Sequence, residues 1–237
     1  MGLFLRFVLF FVLLLAAFVL VGLPLILSPV LTQIARNAGL QAQTLDVTVA
    51  PFDPTLLLGR ARKVTLVASG VDLLPAQIGN VSVSVGNASY FDRTFATVSG
   101  EMNDITLEIS GGDVVHIDNV TVDGPSDAAS ATAHLSAADT DKLIRLAAQR
   151  AGIQIDGVTV GDSGVTVEVS GVEAKARLGV IGGALVLDPG VGGAIVLLQP
   201  APSDPWSLQE AWVSADGLNV RGVVDFTRLA KSLGDSL

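Results

Sequence analysis

From Phe7 to Leu27 the chain reads FVLFFVLLLAAFVLVGLPLIL, twenty-one residues with no charge and with only Gly22 and Pro24 to weaken a helix. A helix rises ~1.5 Å per residue, so this run spans ~30 Å, the thickness of a bilayer's hydrocarbon core. It predicts a single transmembrane helix and a chain in two parts: residues 1–28 as a signal anchor, and residues 29–237 as a domain held beside the membrane. The competing reading is a cleaved secretory signal, because Arg6 and the amino terminus precede the apolar run. Signal cores are shorter, ~7–15 residues, and end in a small-x-small site that is missing here. Arg6 before the span and Arg36 after it leave the positive-inside rule little imbalance to act on. Orientation is therefore read from the rest of the chain: a short cytoplasmic tip, and the bulk extracytoplasmic on a single-pass membrane protein.

That bulk holds all 23 acidic residues and all the basic ones except Arg6, within a total charge of −9. An acidic surface does not release counterions from nucleic acid, so nucleic acid is not an expected partner. The one basic cluster, Arg60, Arg62 and Lys63, reads either as charge protecting a strand edge or as contact with anionic lipid headgroups, at ~1 kcal/mol per charge near a membrane. Cysteine is absent, which excludes disulfides and thiolate metal sites. Abundant Val, Ala, Gly, Ser and Thr, with one Tyr and two Trp, suit broad sheets lined by small aliphatic side chains.

After the span, Ser28 and Pro29 fit the start of a short helix that Gly39 would end. The period then changes to two. Apolar residues alternate at Leu45, Val47 and Val49; at Val64, Leu66 and Ala68; at Val81, Val83 and Val85; and at Ile105, Leu107 and Ile109. Shorter runs follow at Val115 and Ile117, and at Val120 and Val122. Each is bounded by Gly, Asn, Asp or Pro, as in an antiparallel meander with one buried face. Ser136 with Asp139 forms a capping-box pattern for a helix to about Arg150, stopped by Gly152. The GDSG turn between Val158–Val160 and Val165–Val169 is the strongest hairpin signal. Further strands are expected near 174–180, 184–187, 194–198, 210–214 and 218–224, and a last helix from Asp225. ADTDKLIRLA from Ala138 and VDFTRLAKSL from Val224 echo one another, pairing Asp139 with Asp225 and Leu143 with Leu229.

No constellation carries catalysis. The two histidines, His116 and His134, are far apart in sequence, and no HExxH, CxxC or GxSxG motif occurs. His116 and Asp118 share a strand face opposite Val115 and Ile117, a spacing that suits two metal ligands, a base with its orienter or simply a polar outer face. The glycine clusters 179–183 and 190–193 lack phosphate-loop spacing and read as turns. Sequons at Asn80, Asn87 and Asn119 matter only where exported proteins are glycosylated. No enzyme, metal or cofactor is expected. What stands out is apolar surface in unusual places: Leu56, Leu57 and Leu58 in a Pro-flanked connection, the run from Ile195 to Leu198 with Ile195 and Leu197 in it, and Trp206 and Trp212. These, with Leu143 and Leu146 of the predicted helix, read either as ordinary core or as the lining and rim of a lipid-accepting groove.

The order of elements carries a resemblance. An apolar N-terminal segment, a strand entering PFDPTLLLGRARKVTL, alternating strands, a helix at Asp139, the GIQIDGVTVGDSGVTVEVSG hairpin and GALVLDP resemble the bacterial LmeA-like phospholipid-binding family over most of the chain after residue 30. The resemblance implies an α+β, mostly β fold: a long curved antiparallel sheet rolled around one or two helices, similar to tubular lipid-binding folds. It also implies a protein that holds the acyl chains of a phospholipid or other acyl lipid in an apolar cleft, in cell-envelope lipid homeostasis and without catalysis. The long anchor departs from that pattern. The alternative is a structural or adhesive β-rich surface module with tightly packed sheets and no ligand.

Overall fold

The structure, a computed structural model, describes residues 42–228 apart from 50–54, 56–58, 74–75, 90–91, 93, 109–112, 163 and 191–192. The expected anchor, the short helix after it and the Leu56–Leu58 triplet lie outside the described residues. Among the described residues no helix is long and apolar enough to cross a membrane.

Six strands come first: β1 (Thr44–Val49), β2 (Arg60–Leu73), β3 (Ala76–Ser89), β4 (Thr97–Glu108), β5 (Val114–Pro125) and β6 (Ala129–Ser136). Helix α1 (Ala137–Arg150) follows directly. Then come β7 (Gly157–Gly161), β8 (Gly164–Val169), β9 (Val172–Ile181), β10 (Ala184–Asp188), β11 (Ile195–Leu198), β12 (Trp206–Ser214) and β13 (Gly217–Val224). The expected mostly β, antiparallel architecture is present, but divided into two sheets. One has eight strands in the order β1-β2-β3-β4-β5-β6-β13-β12; the other has five, β11-β10-β9-β8-β7. Neither closes on itself, since β1 and β12 end one and β11 and β7 end the other.

The helix forms where its caps predict. The Ser136 hydroxyl accepts the Asp139 backbone N–H at 3.2 Å and donates to the Asp139 carboxylate at 2.8 Å, so the two residues serve each other. At the other end Gly152, at φ +73°, lets Ile153 N–H reach the Ala148 carbonyl at 2.9 Å and its own N–H reach Gln149 at 3.0 Å, the paired bonds of a Schellman motif. Ile144, Ala147 and Ala148 are buried, and α1 lies against β5, β6 and β13 of one sheet and against β7 and β11, the two ends of the other. The expected hairpin is also present, with Gly161 paired to Gly164 across a two-residue turn.

The internal echo does not superimpose. Asp225 is itself a cap, accepting Arg228 N–H at 2.8 Å, whereas Asp139 sits three residues into its helix behind the true cap, Ser136. The shared letters occupy different positions.

A crease crosses four strands. Buried residues on β2 to β5 alternate with period two until they jump by three: Ala68 to Val71, Ile78 to Val81, Met102 to Ile105 and Ile117 to Val120. The jumps line up, because Ser69 pairs with Asn80, Asn80 with Asn103 and Asn103 with Asn119, and on each strand the pairing resumes two residues further on. Gly70 and Asp104, both at φ +57°, supply the left-handed residues that such a phase change needs. Gly79 lies beneath the Asp104 side chain, where an added Cβ would stand 2.8 Å from Asp104 Cβ. The runs Val115–Ile117 and Val120–Val122 are thus one strand bent at its middle.

Candidate functional site

The inner face of the eight-stranded sheet is aliphatic from end to end. Leu45, Ala68, Val81, Met102, Val120, Ala133, Val220 and Ala211 are successive cross-strand partners from β1 to β12. At ~4.8 Å per strand the row is ~34 Å wide. Its burial changes along the way. Ala68, Val81, Met102 and Val120 are sealed at 1–6% exposure, while Ala133, Val220 and Ala211 are only partly buried.

Other half-buried aliphatic residues sit on the elements around those last strands. Leu143 and Leu146 on α1, Ile153 and Ile155 after it, Val158 on β7, Ala174, Leu178 and Val180 on β9, and Val213 on β12 all pack against the same core without being closed into it. Since α1 touches β6, β13 and β7, and β12 touches β7, β8 and β9, the elements that carry these side chains meet in an apolar seam between the two sheets and the helix.

The structure distributes the sequence-predicted residues unevenly. Leu143 and Leu146 lie in the seam. Ile195 and Leu197 are buried on β11, a strand that touches α1. Trp206 is buried at the far end of β12, paired with Val224. Trp212 is not brought to them: a register shift between Leu208 and Glu210 turns the rest of β12 over, and Trp212 lies on the outer face with the Arg221 guanidinium 5.2 Å from its ring. Arg60, Arg62 and Lys63 are exposed together at the start of β2. They gather there because Asn87, at φ +51°, interrupts the pairing between Ala61–Ala88 and Lys63–Gly86. Val64, next to them, leads by cross-strand pairs to Gly124 on β5, Trp206 leads likewise to Ala129 on β6, and Gly124 lies against Ala129, so the basic cluster and Trp206 share one end of the sheet.

The outer face is polar. Thr44, Ser69, Asn80, Asn103, Asn119, His134, Asn219 and Trp212 form one cross-strand row over all eight strands. Asn119 Nδ2 donates to Asn103 Oδ1 at 2.7 Å and to Glu101 at 2.8 Å. Because the crease changes phase between Asp118 and Asn119, both turn outward, and Asp118 meets two imidazoles: His116 Nε2 at 3.6 Å and His134 Nε2 at 3.6 Å. His134 Nδ1 lies 3.1 Å from Asn219 Oδ1. The expected shared face of His116 and Asp118 is there; the nearness of His134 comes from strand pairing and has no trace in local spacing.

Behind this cluster, Asp139 ties β5 to α1. Burial alone pushes its carboxyl up, but the Ser136 hydroxyl, the His116 backbone N–H and the Lys142 ammonium together hold it below the ordinary carboxylate range.

No protein-family model, curated protein or solved structure matches this chain.

Proposed function

We propose that this chain is a membrane-anchored, extracytoplasmic binding protein for a phospholipid or other acyl lipid, without catalytic activity. The observation that carries the reading is the half-buried aliphatic seam between β6, β13 and β12 on one side and α1, β7 and β9 on the other. Each methylene withdrawn from water contributes ~0.8 kcal/mol, so a seam of Ala, Val, Leu and Ile binds an acyl chain with few polar anchors. The apolar run Phe7–Leu27 supports a tether in the bilayer that supplies the ligand, and the exposed Arg60, Arg62 and Lys63 suit an anionic headgroup or membrane surface. The likeness to the LmeA-like family in order of elements points the same way.

The test is lipid mass spectrometry on full-length protein purified from cells and stripped of loosely bound lipid, followed by uptake of a fluorescent phospholipid. Stoichiometric lipid and saturable uptake are expected; a protein that carries none and takes up none refutes the proposal. A ligand-free structural module is the second reading, favoured by the sealed inner face of β2 to β5, and that empty result would support it.

A further inference from the structure

We infer that the outer face of the eight-stranded sheet carries a binding site for a first-row transition-metal dication of the zinc class, with His116, Asp118 and His134 as ligands and Asn219 as the residue that orients His134. The donor set is two imidazoles and a carboxylate, the combination such ions take from proteins without cysteine. Three neighbouring strands supply the parts: His116 and Asp118 from β5, His134 from β6 and Asn219 from β13.

The contact between His134 and Asn219 argues for a ligand role. His134 Nδ1 faces the Asn219 side-chain oxygen at 3.1 Å, an acceptor that holds the proton on Nδ1 and leaves the Nε2 lone pair free. His134 Nε2 lies 3.6 Å from one oxygen of Asp118, and His116 Nε2 stands at the same 3.6 Å from the other oxygen. These separations are long for hydrogen bonds. They are close to the spacing of two ligands on one tetrahedral ion with bonds of ~2.0–2.1 Å.

The framework is fixed while the tips are free to turn. The His116 backbone is held by Asp139 at 3.1 Å, and the side chains of His116, Asp118 and His134 are 30–37% exposed. As they stand, no group of three such side chains among the described residues is arranged to hold a metal ion, and the two imidazoles lie beside different oxygens of Asp118. Ion binding rotates the half-exposed His116 ring and the Asp118 carboxylate toward His134 Nε2, with water completing the coordination.

The experiment is equilibrium dialysis of untagged full-length protein against zinc, with cobalt absorption as a second readout and circular dichroism to confirm folding. One equivalent binds the wild type, and His116→Ala, His134→Ala and Asp118→Asn each weaken binding at least tenfold. Asn219→Ala weakens it by roughly ten- to a hundredfold, as removal of an outer-shell partner does. Absence of saturable binding to the wild type overturns the inference, as does binding that survives loss of either imidazole. Should one histidine variant fail to fold, the other and Asp118→Asn decide.

Discussion

Asp139, near the start of α1, accepts the backbone N–H of His116 in the middle of the sheet at 3.1 Å, and so joins the helix cap to β5. The same carboxylate takes the Ser136 hydroxyl and the Lys142 ammonium, the latter at 3.3 Å. One side chain, about a tenth exposed, thus secures the helix N-terminus and a strand amide that would otherwise be unpaired.

Replacing Asp139 by Ala removes the cap partner and strands a donor, at ~1–3 kcal/mol. The carboxyl is held below its ordinary range, so its contribution is complete above the unfolded value of ~4 and fades as pH falls through the lower folded value. Urea unfolding should therefore show a large difference between wild type and Asp139→Ala at pH 7 and a small one near pH 2. Equal differences at both pH values would refute the assignment.

Gly217 opens β13 at φ +141°, tight against the junction where β6 becomes α1. A Cβ there would run into the Leu135 carbonyl oxygen and would stand 2.7 Å from Ser136 C and 2.9 Å from Ala137 N, all of them backbone atoms. Gly217→Ala should cost at least ~2 kcal/mol, because no flexible side chain can move aside. Gly182→Ala, at φ +59° with nothing within 4 Å, isolates the conformational penalty and should cost about 1 kcal/mol. Denaturation midpoints in which the two variants behave alike would remove the steric argument.

The elements set by neighbouring residues are legible in the sequence. Ser136 with Asp139, Gly152 and the GDSG turn each act within a few residues, and each does in the structure what its chemistry predicts. Information carried by pairing between distant strands is not legible. The jump from Ile117 to Val120 reads as the end of one strand and the start of another, because only the neighbouring strands, with Met102–Ile105 and Ile78–Val81 in step, reveal a crease. The division into two sheets follows from β6 pairing with β13 across some eighty residues. Of the candidate site, Leu143 and Leu146 were readable from helix periodicity, whereas the face of Trp212 depends on one extra residue in β12.

Asp104 tests the crease directly. It is an exposed non-glycine residue of β4 at φ +57°, a conformation that Asp tolerates and β-branched residues do not. Asp104→Val should lower stability by ~1–2 kcal/mol despite the β propensity of valine, and Asp104→Gly should be neutral or mildly stabilising. A stabilising Asp104→Val, measured by thermal unfolding, would mean that the phase change is not built into β4.

The two faces of the molecule make opposite predictions for lipid loading. Leu146 is half-buried in the apolar seam, so Leu146→Glu places a charge where an acyl chain would lie, and charge is expelled from such surroundings unless paired. Trp212, on the outer face under Arg221, is outside that path although it is the larger apolar group. Fluorescent-phospholipid uptake should fall at least tenfold in Leu146→Glu and stay within about twofold of wild type in Trp212→Ala, since a lost group costs roughly 1.4 kcal/mol for each tenfold in affinity. The reverse ranking, with Trp212→Ala impaired and Leu146→Glu normal, would move any lipid site from the seam to the outer face of the sheet.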